Sequence, residues 1–177
     1  MSPGTGSKPR ILVGVDGSPE SLAALRWAVR QAELTGGTVD AVTAWRLPIA
    51  LTGYGLAPVA VGDRPWMEHA ARQVLERAIA EVTRTGHGSA VRGHLIQGFA
   101  ARALLKAASG ADLLVVGCHG SGGFTGARLG SVSLSCVRHA RCPVVVVPGR
   151  RTAVRNRGAT GPGTDRKKVP AGRADWL

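Results

Sequence analysis

The stretch "ADLLVVGCHGSGGFTGARLGSVS", Ala111 to Ser133, runs from a near-continuous apolar segment through six glycines to what reads as a helix start. A short apolar run without polar alternation is expected where a parallel sheet is covered by helices on both faces. Working outward, "FAARALLKAASG" (Phe99 to Gly110) reads as a helix ended by glycine, and "SAVRGHLIQG" before it alternates as a strand. Downstream, "SVSLSCVRHA" reads as a short helix and "CPVVVVPG" as a last strand.

At the other end, "PRILVGVDGS" (Pro9 to Ser18) is a buried strand closed by an Asp-Gly-Ser turn. Ser18 is placed to cap a helix, with Pro19 at its first position and Glu20 in its first turn. Leu22, Leu25, Val29 and Ala32 recur at helical spacing until Gly36-Gly37, and "TVDAVTAW" alternates as a second strand. A further helix from about Trp66 to Thr85 carries Ala70, Val74, Ala78 and Val82 on one face. Between them, Arg46 to Pro65 is Gly/Pro-rich without a clear period, longer than most connections, and is expected to be a functional or mobile loop. The order β-α-β-α-β-α-β-α-β predicts a doubly wound parallel α/β sheet, whose ligands bind beyond the carboxyl ends of the strands where strand order reverses. If strands one and four are neighbours, the turns at Asp16 and at Gly117 face one crevice.

The 177 residues, 44% apolar, suit one domain. "MSPGTGSKPR" lacks a secretory apolar core, and "LLVV" and "VVVV" are too short to span a bilayer, so a cytoplasmic protein is expected. Cys118, Cys136 and Cys142 form no C-x-x-C pair, which argues against a disulfide framework or a zinc site; Cys142 is expected to be buried at a strand start. Of the net charge of +12, residues 150–177 supply eight Lys or Arg against two Asp, whereas residues 11–149 hold thirteen bases and nine acids. Residues 1–9 and 150–177 are expected to be disordered tails around a domain at 10–149. The basic tail is expected either to be a solvated extension or to hold nucleic acid or an acidic partner weakly.

The glycine loop is not a dinucleotide fingerprint, because Thr125 stands where the next glycine of G-x-G-x-x-G belongs, and no G-K-[ST] occurs. Its spacing is Gly117, two residues, Gly120, nine residues, Gly130-Ser131. Gly117 and Gly120 are expected to permit positive φ and close backbone approach, while Gly130 and Ser131 place bare amides at a helix start beside the hydroxyls of Ser131 and Ser133. Ser18, Ser131 and Ser133 have no evident His base, so a catalytic nucleophile is not indicated. His119 beside Cys118 lacks partner ligands, and His69, His87, His94 and His139 receive no role. Asp16, taken alone, reads equally as a turn residue.

This spacing, with "VGVDGS" at Val13 to Ser18, "QGFAARALLKAASGADLLVVG" before the loop and "RHARCPVVVV" after it, resembles the universal stress protein family from about Arg10 to Val147. The G-2x-G-9x-G-[ST] pattern resembles its ATP-binding branch. The resemblance implies a Rossmann-like, adenine nucleotide alpha hydrolase-like fold, with a five-stranded parallel sheet in the order 3-2-1-4-5 and nucleotide between the ends of strands one and four. It implies that Asp16, with Gly17 and Ser18 in its turn, lies near ribose, phosphates and any Mg²⁺ arriving with ATP. By the same resemblance the backbone of Ala44 meets the adenine edge, Gly117, Gly120, Gly130 and Ser131 hold phosphates, and Val132 and Ser133 form the adjoining helix start. Two departures stand out: Cys118-His119 where the family often has Ser with Arg or His, and Ser121 where it often has Arg or Lys. Losing that cation weakens triphosphate binding, and Arg128 is placed to compensate. An apolar edge strand favours pairing with a second copy, and the resemblance likewise implies a homodimer through Pro143 to Val147. The expected function is an ATP-binding, homodimeric stress regulator or sensor that binds rather than turns over its ligand. The alternatives are slow ATP hydrolysis in the same crevice, or a basic interaction protein with a vestigial site.

Overall fold

The computed structural model describes residues 8–47, 49–52, 55–58, 64–84, 90–119 and 129–149, with backbone alone for 49–52 and 55–58. Five parallel strands carry the fold: β1 (Arg10–Gly14), β2 (Thr38–Trp45), β5 (Val91–Gln97), β6 (Leu113–Gly117) and β7 (Val144–Val147). They lie in the order β5-β2-β1-β6-β7, the expected 3-2-1-4-5. Register pairs Ile11 with Val39 on one side and with Leu113 on the other, so strand order reverses across β1.

Alternation along each strand explains why both faces are apolar. Ile11, Val13, Val15, Val39, Ala41 and Val115 point to one face, where they pack against α1 (Pro19–Thr35) and α2 (Arg64–Thr83). Leu12, Val42, Leu114 and Val116 point to the other, against Leu104 and Ala108 from α3 (Ala100–Ala107) and its following turn, and Cys136 from α4 (Ser131–His139). Helix α1 begins at Pro19 with Ser18 as its cap, and ends at Gly36, which takes the left-handed conformation at φ 66°. Helix α2 starts two residues before its expected beginning, and its buried residues are Leu75, Ala78 and Val82.

Two expectations need correction. The segment from Arg46 to Pro65 contains an antiparallel hairpin, β3 (Ile49–Thr52) with β4 (Gly55–Pro58), in a sheet of its own. Its four-residue strands are too short, and too interrupted by Gly and Pro, to show a period. Cys142 is half-buried, and the fully buried thiol is Cys136, which burial and the neighbouring Cys142 push up to about 11. Strand β7 lies at the sheet edge as expected, with Val144 to Val147 half-buried. Of the expected tails at 1–9 and 150–177, residues 1–7 and 150–177 lie outside the described residues, as do Gly120, Ser121 and Arg128.

Candidate functional site

The expected crevice lies at the carboxyl ends of β1 and β6, which are neighbours in the sheet. After β1 the Val15 amide donates to the Val42 carbonyl at 2.8 Å, and the chain then turns through Asp16 and Gly17. Gly17 has φ 81°, and a Cβ there would lie 3.0 Å from Val74 on α2, so the turn needs glycine both for its conformation and for its packing. Asp16 is exposed, yet its Oδ1 accepts from the Ser18 amide at 3.0 Å and from the Ser18 hydroxyl at 2.6 Å. That is an Asx turn feeding a helix cap. Ser18 is buried and accepts in turn from the Ser21 amide at 3.2 Å. Its hydroxyl proton is therefore committed to the turn.

On β2, Thr43 is buried and its Oγ1 donates to the Val15 carbonyl at 2.9 Å, tying the ends of β1 and β2 together. Sequence reading passed over this residue; its only signal is a hydroxyl at an inward position of an apolar strand. Val42 faces β1 through its carbonyl, and Trp45 faces β5 by accepting from Gly98 at 2.8 Å. Backbone direction alternates along a strand, so the amide and carbonyl of Ala44 point toward β1, past the place where β1 has ended.

At the end of β6, Gly117 is not among the glycines with positive φ, contrary to expectation. A Cβ there would stand 2.9 Å from both the carbonyl carbon and the Cβ of Glu20, so glycine is required by the approach of α1 to β6. The Cys118 amide donates to the Val147 carbonyl at 2.8 Å, and the Cys118 carbonyl accepts from the Gly130 amide at 2.7 Å. The two ends of the glycine loop are thereby tied together.

Gly130 is the N-cap of α4, with φ −68° and ψ 160°, and it offers no side chain to cap the helix. The first intrahelical bond is from the Leu134 amide to the Gly130 carbonyl at 2.9 Å. The amides of Ser131, Val132 and Ser133 consequently stand at the positive end of α4 without partners among the described residues. Ser133 is buried, and its hydroxyl donates to the Gly117 carbonyl at 2.6 Å. Its expected role as a hydroxyl donor at the helix start is corrected accordingly: the hydroxyl braces β6 against α4, leaving the Ser131 hydroxyl as the exposed one. Cys118 Sγ lies 3.2 Å from His119 Nδ1 and accepts from the Gly149 amide at 3.4 Å. Among the described residues, no group of three or more His, Cys, Asp or Glu side chains is arranged to hold a metal ion.

A second polar constellation, which sequence reading also missed, sits toward the amino ends of the strands. Asp40 on β2 is 2% exposed and is bonded by Arg10 Nε at 2.6 Å, Arg92 Nε at 2.9 Å and His94 Nε2 at 3.2 Å. Arg10 also donates to the Ala107 and Ser109 carbonyls at 3.1 Å, satisfying the end of α3. Burial raises the Asp40 carboxyl, but the hydrogen bonds from Arg10, His94 and Arg92, together with the Arg92 charge, outweigh it and hold the group below the ordinary carboxylate value.

With this geometry in place, a sequence profile described as the Universal stress protein family matches residues 9–148. The chain belongs to the universal stress protein family. A universal stress protein of Mycolicibacterium smegmatis is 39% identical over 151 residues, covering 78% of this chain and 48% of the relative. One from Mycobacterium tuberculosis is 35% identical over 140 residues, covering 77% of this chain and 46% of its own length. The chain thus spans about half the length of the curated relatives it matches. Among solved structures, a universal stress protein in complex with cAMP is 25% identical, with a TM-score of 0.59 over 81% of this chain and 99% of that one. Universal stress protein UspA from Lactobacillus plantarum, 20% identical with a TM-score of 0.62 over 80% of this chain and 99% of its own, shares the fold.

Proposed function

We propose that this universal stress protein binds an adenine nucleotide, ATP with Mg²⁺, in the crevice between β1 and β6, and acts as a homodimeric regulator that reads nucleotide without dedicated turnover. The observation that carries the reading is the start of α4, where three amides without partners among the described residues stand at the positive end of a helix beside the ends of β1 and β6, as an anion site requires. Phosphates rest there and on Gly117, Gly120 and Gly130, with the Ser131 hydroxyl as a further donor and Arg128 as the cation that replaces the one lost at Ser121. The backbone of Ala44 offers a donor and an acceptor past the end of β1, which suits the edge of a purine. Asp16, held by Ser18 and Gly17, is the carboxylate on the ribose and phosphate side and a ligand for Mg²⁺ carried in by the nucleotide. Support from outside the chain is the related structure that contains cAMP. Dimerisation through β7 would cover the half-buried edge from Val144 to Val147.

Calorimetric titration of ATP and AMP into nucleotide-stripped protein tests the proposal. Wild type gives saturable heats with ATP, Gly120→Val gives none, and steady-state phosphate release stays at background. Absence of heat from wild type at millimolar ATP overturns the reading.

A further inference from the structure

The net basic charge of the folded region is concentrated in its second part. Residues 10–97 hold nine Lys or Arg and eight Asp or Glu, whereas residues 98–149 hold five Lys or Arg and a single acid, Asp112. Much of this excess converges on a groove of about 620 Å³ between α3 and α4, on the face of the helices and apart from the crevice. Arg102 and Lys106 line the α3 wall and Ser135 and His139 the α4 wall, with Phe99 and Arg141 among the lining residues beyond the helix ends. Within each wall the two groups are one helical turn apart, about 5.4 Å along the axis.

None of Arg102, Lys106, His139 or Arg141 has an ion pair among the described residues, whereas α1 and α2 carry the pairs Arg26–Glu81 and Arg72–Glu68. Lys106 and His139 lie in last turns, where a cation offsets the helix dipole. That account fails for Arg102, in the first turn of α3 against its positive end, and for Arg141, beyond α4. Phe99 is 60% exposed, with the Arg46 guanidinium 4.7 Å from its ring centroid.

We propose that the α3–α4 groove binds single-stranded nucleic acid, its cations holding successive phosphates and Phe99 stacking a base. Unpaired cations beside an exposed aromatic ring are what sequence-tolerant single-strand binding requires. An acidic peptide fits less well, because peptide partners anchor through large apolar side chains in pockets, and apart from Phe99, whose ring stands exposed, the apolar part of this lining is Ala101, Leu105 and Ala108.

Fluorescence anisotropy of a labelled oligothymidylate of about twenty nucleotides, titrated with the full chain across a salt series, tests the proposal. Wild type binds with a steep salt dependence. Combining Arg102→Gln, Lys106→Gln and Arg141→Gln, all at exposed positions, lowers the slope of log K against log salt by about 2 in magnitude and leaves the melting temperature unchanged. Phe99→Leu weakens binding about fivefold without changing the slope, and Arg30→Gln on α1 changes neither. No binding by wild type overturns the proposal, as does an unchanged slope in the triple variant, which would put the contacts in residues 150–177. If polyglutamate displaces the oligonucleotide at equal charge concentration and Phe99→Leu has no effect, the occupant is an acidic polypeptide and the proposal also fails.

Discussion

The two ends of the sheet are built on opposite principles. Toward the amino ends, Asp40 is buried but answered by three donors, and Arg10 makes two further bonds, to the Ala107 and Ser109 carbonyls at and just beyond the end of α3. Toward the carboxyl ends, hydroxyls brace the turns while the amides at the start of α4 are left without partners among the described residues. A fully answered charge contributes to holding the strands together; an unanswered helix end contributes little to stability and leaves room for an anion. Substitutions at one end should therefore move stability alone, and at the other end binding alone, except where a residue braces the crevice itself.

The largest effect is expected at such a brace. Gly117→Val drives a branched side chain into the backbone of Glu20, costs about 3 kcal/mol in urea unfolding, and abolishes nucleotide heats by parting β6 from α1. Full stability in this variant would mean that α1 yields at Glu20 and that the contact is not structural.

Asp40→Ala comes next, at about 2 kcal/mol, with nucleotide affinity unchanged. The cost falls below that of breaking a fully buried pair, because the Arg10 and Arg92 side chains are 32% and 59% exposed and rehydrate. The pH dependence has a definite sign. With its folded pKa depressed, Asp40 contributes fully above the unfolded value of about 3.9, and the contribution disappears as pH falls through the lower folded value. Thermal melts of wild type and Asp40→Asn should converge in acid and separate toward neutrality; a gap that persists in acid would mean that the ion pairs are not its cause.

The smallest effect is expected at Ser133→Ala, which removes the bond to the Gly117 carbonyl and costs about 1 kcal/mol. Chemical denaturation reads that cost directly. Loss of nucleotide binding without loss of stability would instead return the Ser133 hydroxyl to the ligand.

Much of this was legible in the sequence, for identifiable reasons. Ile11 to Val15 and Leu113 to Val116 are apolar at every position because both sheet faces are covered, and Ser18-Pro19 and Gly36 mark the ends of α1 by cap chemistry. The glycines were harder to interpret. Glycine has two uses, and sequence alone does not separate them: Gly17 needs its conformation as well as room beside Val74, whereas Gly117 needs only the absence of a side chain. Hydroxyls pose the same difficulty, since Ser18 and Ser133 sit at the crevice but point their protons at the protein. The Asp40 cluster joins residues 30 and 52 positions apart, a coincidence that only the β1-β2-β5 register brings about. The β3–β4 hairpin lacked any period to read.

The central claim is that the bare amides of α4 hold phosphate, and Ser131→Pro tests it most directly. Proline suits the first position of a helix, and Gly130 at ψ 160° already has the extended conformation that a following proline requires. The substitution deletes one amide proton and one hydroxyl while leaving the helix intact, and Ser131→Ala, which deletes the hydroxyl alone, separates the two. Calorimetric titration of ATP should show Ser131→Pro weakened about tenfold, the value of one charge-assisted bond, with Ser131→Ala weakened less and the melting temperatures unchanged. Equal ATP affinity in wild type and Ser131→Pro would contradict the account.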